Sequence, residues 1–146
     1  MAHVVFTVTR DLPLPADAVF GELIDWRGHA DWVPLTRVTI ESGDGGPGTQ
    51  FIATSGVGPV ALPDRMRVDT LDPVAMTVGI TKIGPVLTGV VRLSVTSTGA
   101  RSSRLVWVED ITVPVVPQFL ATPVAAAARR GFQTSITRMA RKLGAR

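Results

Sequence analysis

The stretch from residue 35 to about residue 113 constrains this chain more than any other part of it. Runs rich in Val, Ile and Thr are cut there by clusters of turn-forming residues: Ser42-Gly43-Asp44-Gly45-Gly46-Pro47-Gly48, Ser55-Gly56-Val57-Gly58-Pro59, Leu71-Asp72-Pro73, Ile83-Gly84-Pro85 and Ser97-Thr98-Gly99-Ala100. β-branched side chains fit a pleated surface, whereas Gly and Pro punctuate it. The breaks leave strand candidates near 36–42, 49–55, 61–71, 75–83, 87–97 and 103–113. Sequential strands with short connections pair antiparallel, so a meander is expected. The segment from His3 to Arg10, again β-branched and aromatic, adds a seventh strand.

Such a sheet must bury one face, and the remaining sequence supplies the cover. After Pro13-Leu14-Pro15, the run Ala16 to Ile24 sets Val19, Phe20, Leu23 and Ile24 on one helical face, with Asp17 in the first turn. Asp25 to Pro34 is too short and broken for more than one extra turn. Beyond Pro114 and Pro117, Thr122-Pro123 is expected to cap a long helix that opens with the Ala-rich run Val124 to Ala128. Ala125, Ala128, Phe132, Ile136 with Ser135, Met139 and Leu143 recur at three- and four-residue steps, opposite Arg130, Arg138, Arg141 and Lys142. One domain spanning residues 1–146 is expected.

Composition narrows the chemistry. No apolar run reaches the roughly 18 residues a membrane span needs, and the N-terminus lacks a signal-peptide pattern, so a cytoplasmic location is expected. The absence of cysteine removes disulfides, thiolate nucleophiles and sulfur-ligated metals. The two histidines, His3 and His29, have no partner at metal-ligand spacing, and the glycines match no phosphate-binding fingerprint, so neither metal nor cofactor is expected. The net charge of +3 is skewed toward the tail between Arg129 and Arg146. A basic helix could touch an anionic membrane or an acidic partner. It is read here as a solvated face, since no stacking aromatics or nucleic-acid motif accompany it.

The order of strand, two short helices, six strands and long helix is similar to that of the START-like (SRPBCC) superfamily, and within it the polyketide cyclase/dehydrase-type proteins. The resemblance covers nearly the whole chain. It rests on Leu14-Pro15-Ala16-Asp17-Ala18-Val19-Phe20, on Asp25-Trp26 through Trp32-Val33-Pro34, on Gly48-Thr49-Gln50-Phe51 and on Ser103-Arg104-Leu105-Val106-Trp107. These are scaffold marks rather than a catalytic signature. The resemblance implies an α+β helix-grip fold, in which a seven-stranded curved antiparallel sheet wraps a long C-terminal helix and leaves a cavity between them. It also implies a small hydrophobic partner such as a fatty acid, isoprenoid or polyketide, or ring closure and dehydration of such a substrate. The chain is expected as a monomer or homodimer.

Alternation along each strand selects cavity-facing candidates. Met66, Val68 and Thr70 should point inward, as should Val91, Leu93 and Val95, while Lys82, Arg92 and Arg65 read as surface charges. If Arg104 faces water, Leu105, Trp107, Glu109 and Ile111 face in. The ligand-contact candidates are therefore Met66, Val68, Val91, Leu93, Leu105 and Trp107 from the sheet, with Phe132 and Ile136 from the helix. Trp26 and Trp32 read as core. A carboxylate in an apolar wall has a raised pKa suited to acid-base chemistry, which makes Glu109 the first catalytic candidate. Glu109 could equally reach solvent at a strand end or pair with an arginine. His29 is the second candidate, as a general base or as a plain turn histidine.

Overall fold

The computed structural model describes residues 1–145. Its strands are β1 (Ala2–Leu12), β2 (Thr36–Ser42), β3 (Gln50–Ser55), β4 (Leu62–Asp72), β5 (Thr77–Ile83), β6 (Thr88–Gly99) and β7 (Ser102–Val113). They form one antiparallel sheet in the order β1-β7-β6-β5-β4-β3-β2. The meander therefore runs unbroken from β2 to β7, and only β1 crosses over, to pair with β7. Between β1 and β2 lie α1 (Ala16–Ile24) and a 3-10 turn at Arg27–Asp31. The long helix α2 (Ala121–Lys142) closes the chain, completing the START-like helix-grip architecture.

One face of the sheet carries the core, and period-two alternation decides which residues belong to it. In β1, Ala2, Val4, Phe6 and Val8 are buried; in β6, Val91, Leu93 and Val95; in β7, Ser103, Leu105, Trp107, Glu109 and Ile111. α1 places Val19, Phe20 and Leu23 against β6 and β7. α2 packs chiefly along β1 through Ile136, Met139 and Ala140. Arg10 fastens this contact: its Nη1 donates to the Gln133 carbonyl at 3.1 Å and to Thr137 Oγ1 at 3.1 Å. At the far end, Lys142 bridges Glu22 at 2.6 Å and Asp31 at 2.8 Å. The basic tail thus spends one of its cations on holding α2 to the short helices.

The structure departs from the sequence reading at three positions. Thr70 faces outward and is exposed, because the β4–β5 register shifts between Val68 and Thr70. One extra residue in the strand reverses the alternation beyond it, and Leu71 takes the inward place. α2 begins at Ala121 with Leu120 at its N-cap, so Thr122 lies inside the helix and caps nothing. Its lead-in is a 3-10 turn at Gln118–Leu120, which tightens the chain ahead of the helix. Lys82, expected on the surface, is buried with 7% of its area exposed. Val78, Ile80 and Lys82 share one parity on β5, so the face that buries the first two carries the lysine inside with them.

Candidate functional site: a cavity with a buried ionic floor

α2 leans on β1 and leaves the inner face of β3, β4 and β5 incompletely covered. A cavity of about 120 Å³ remains there. Its walls include Phe51, Met66, Ile80, Val91, Leu93, Trp107 and Phe132. Aromatic packing stiffens one side: Phe132 lies 4.7 Å from Trp107 and 5.7 Å from Phe6, and Trp107 meets Trp32 edge-on at 6.4 Å. Behind the wall, Trp26 stacks on Phe51 at 5.0 Å and donates its Nε1–H to the Gly45 carbonyl at 2.8 Å.

Three ionisable side chains interrupt this apolar lining. Asp64 from β4, Lys82 from β5 and Glu109 from β7 all reach the same cavity. Lys82 Nζ donates to Asp64 Oδ2 and lies 3.9 Å from Met66 Sδ. Glu109 is only 3% exposed, and its Oε1 accepts the Trp107 indole N–H at 3.1 Å. Asp64 Oδ1 is buried and finds no hydrogen-bond donor among the described residues. Burial pushes the Glu109 carboxyl above the usual range, and the Asp64 charge adds to the rise; Lys82 and the Trp107 hydrogen bond only partly oppose it. For Lys82, burial works against the charged form, but the Glu109 and Asp64 carboxylates outweigh it and hold the ammonium protonated.

His29 also lines the cavity. Its ring packs against Trp32 at 4.7 Å and Trp26 at 5.6 Å, and Nε2 is bonded to the Leu23 carbonyl at 2.7 Å. A carbonyl only accepts, so Nε2 carries the hydrogen and Nδ1 is the nitrogen left to accept a proton. Burial lowers the His29 pKa despite that hydrogen bond and the nearby Glu22 and Asp25 charges, and the imidazole is held neutral. Thr36 Oγ1 donates its hydrogen to the Pro34 carbonyl at 3.1 Å, so in its 2.8 Å contact with Ser55 Oγ the serine is the donor. Val33, Ser55 and Phe132 line both the cavity and an outer groove that continues along Pro34, Ala128, Gly131 and Ser135. These three side chains lie between the two spaces, and Phe132 is the largest of them.

The structure thus brings Glu109, His29, Met66, Val91, Leu93, Trp107 and Phe132 to one cavity. Val68, Leu105 and Ile136 point the same way but are fully buried core residues outside its lining. Inward direction alone does not separate wall from core. Asp64 and Lys82 were missed as site residues. In both cases strand parity was a usable signal: Lys82 shares its face of β5 with Val78 and Ile80, and Asp64 shares its face of β4 with Met66 and Val68. Glu109 has a charged neighbour, but it is a lysine rather than an arginine.

Among the described residues, no helix is long and apolar enough to cross a membrane. No functionally curated protein matches the chain in sequence. Solved structures match it in fold at low identity. A START superfamily protein from Mycobacterium smegmatis has a TM-score of 0.81 at 16% identity, covering 97% of this chain and 99% of that one. A protein from Thermus thermophilus has a TM-score of 0.79 at 11% identity, covering 95% and 96%. The Zhui aromatase/cyclase from a Streptomyces species has a TM-score of 0.67 at 21% identity, covering 97% and 89%. At these identities the likeness shows the fold alone. The sequence itself matches a family profile over residues 3–144, and on that match the chain belongs to the family described as polyketide cyclase/dehydrase and lipid transport.

Proposed function

We propose that this protein binds a small hydrophobic molecule in the cavity between the sheet and α2. The observation that carries this reading is the cavity itself, walled by Phe51, Met66, Ile80, Val91, Leu93, Trp107 and Phe132 in an otherwise close-packed domain. Its size limits the guest. An apolar cavity of about 150 Å³ holds one benzene ring, so about 120 Å³ suits a single ring or a short chain. A larger lipid or polyketide would require Phe132 to swing aside and join the cavity to the outer groove.

Native mass spectrometry of the purified protein, followed by denaturing extraction, tests the reading directly. A stoichiometric apolar molecule is the expected result. A protein that carries none, and whose binding of an apolar fluorophore is unchanged by filling the cavity with Ala53→Phe, would sink it.

A second reading is enzymatic, and Glu109 favours it. A carboxyl whose pKa is raised, fixed by Trp107 and facing an apolar cavity, can deliver a proton to a bound substrate as a general acid, as dehydration requires. His29 could take a proton at Nδ1. Turnover of a polyketide-like substrate that Glu109→Gln left unchanged would eliminate this mechanism.

A further inference from the structure

The cavity's hydrogen-bonding and charge balance goes further than its shape, and the step rests on the ligand-binding reading above. Among the described lining residues Lys82 is the only lysine or arginine, and it faces two carboxyl groups, Asp64 and Glu109. Its charge is already matched by Asp64. A ligand carboxylate would be a third acid sharing one buried cation, in a site where an uncompensated charge is costly.

The unspent hydrogen-bonding capacity points the same way. Asp64 Oδ1 is a buried acceptor without a donor. Lys82 has three N–H bonds and directs one at Asp64 Oδ2 and one toward Met66 Sδ, which is a weak acceptor. Glu109 commits Oε1 to Trp107, which leaves its other oxygen free, an acceptor when ionised and a donor when the carboxyl is protonated. The group that completes this set must donate and accept at once. A hydroxyl does both, whereas a carboxylate only accepts. Both hydroxyl hydrogens of Thr36 and Ser55 are already placed, on the Pro34 carbonyl and on Thr36 Oγ1, so the unmet demand lies at the ionic floor and not at this pair.

We infer that the ligand is a neutral, hydroxyl-bearing molecule whose apolar body lies against Met66, Leu93, Trp107 and Phe132 and whose hydroxyl meets Asp64, Lys82 and Glu109. The cavity selects against carboxylic acids of the same size, and so against fatty acids as a class. Asp64, Lys82 and Glu109 are the specificity-determining residues.

Benzyl alcohol and benzoate, matched in their ring, separate the two cases by ligand-detected NMR titration at pH 7. Benzyl alcohol should bind at least tenfold more tightly than benzoate. Asp64→Asn frees the Lys82 charge and should raise benzoate affinity at least tenfold; Glu109→Gln, a second route if the first variant folds poorly, should raise it by a smaller factor. Equal or tighter benzoate binding by the wild type overturns the inference, and so does benzoate affinity unmoved in both variants. If benzyl alcohol fails to bind while an apolar fluorophore still enters and Ala53→Phe blocks it, the hydroxyl assignment falls and the ligand-binding reading stands. If Ala53→Phe blocks nothing and no probe binds, both fall.

Discussion

The inner face of the sheet is one surface with two fates, and β7 shows both within four residues. At Leu105 the face is packed solid beneath α1, whose Val19, Phe20 and Leu23 fill the space over β6 and β7. At Glu109, on the same strand and the same face, the cover is incomplete and the carboxyl meets Lys82 and Asp64 across a cavity. Sequence parity is identical at the two positions. The difference lies in what stands opposite: α1 covers one end of the sheet, while α2 leans on β1 and leaves β3 to β5 short of a lid. A concave sheet with two helices of unequal reach therefore partitions its own interior into a dry core and a site.

That contrast can be broken in graded steps. The largest effect is expected at the cavity floor. Lys82→Met strands two buried carboxyls and should lower unfolding free energy by about 3–5 kcal/mol at neutral pH. Combining it with Asp64→Leu should restore most of the loss, and chemical denaturation midpoints would show it. If the single variant cost nothing, the ion pair would be solvated and the floor would not be buried. In the dry half, Leu105→Ala should cost about 2–5 kcal/mol through lost burial and a new void. It should leave affinity for a cavity ligand within about twofold, since Leu105 does not line the cavity.

The cavity half should also answer pH, through two of its lining residues whose effects run in opposite directions. Glu109 has a raised pKa in the folded state, so its contribution is fully present below the ordinary value of 4.5 and is lost as pH rises through its folded value. Wild type should therefore lose stability relative to Glu109→Gln as pH climbs above 4.5. His29 has a depressed pKa, so its contribution is present above 6.5 and is lost as pH falls through its folded value. His29→Gln should flatten the acid limb below pH 6.5. Thermal melts across pH would reveal both limbs, and parallel curves for wild type and a variant would remove that residue's buried role.

The smallest effect belongs to α2 itself. Gly131 lies in the middle of the helix beside Phe132, and a Cβ there would meet nothing within 4 Å. Gly131→Ala should stabilise the protein by about 0.5–1 kcal/mol by restricting the unfolded chain and favouring the helix. A loss of stability instead would show that the backbone at Gly131 is not ordinary helix.

The strands, the helices and the fold class were legible in the sequence because each rests on local rules. Turn residues separated the strands of the 35–113 region, alternation oriented Val91, Leu93, Leu105, Trp107 and Glu109, and the three- and four-residue steps from Ala125 to Leu143 marked the buried face of α2. What local rules could not supply were facts about distant neighbours. Thr70 turned outward because the pairing of β4 with β5 slips by one residue, and no feature of β4 alone announces a bulge. Val68, Leu105 and Ile136 became core while Met66 and Phe132 became wall, because the helices cover the sheet unevenly. Lys82 went inside because a carboxylate 18 residues earlier in the chain waits across the strand pair to receive it. Periodicity assigns a side chain to a face, but only the closed tertiary structure decides whether that face meets another side chain, an ion partner or an empty space.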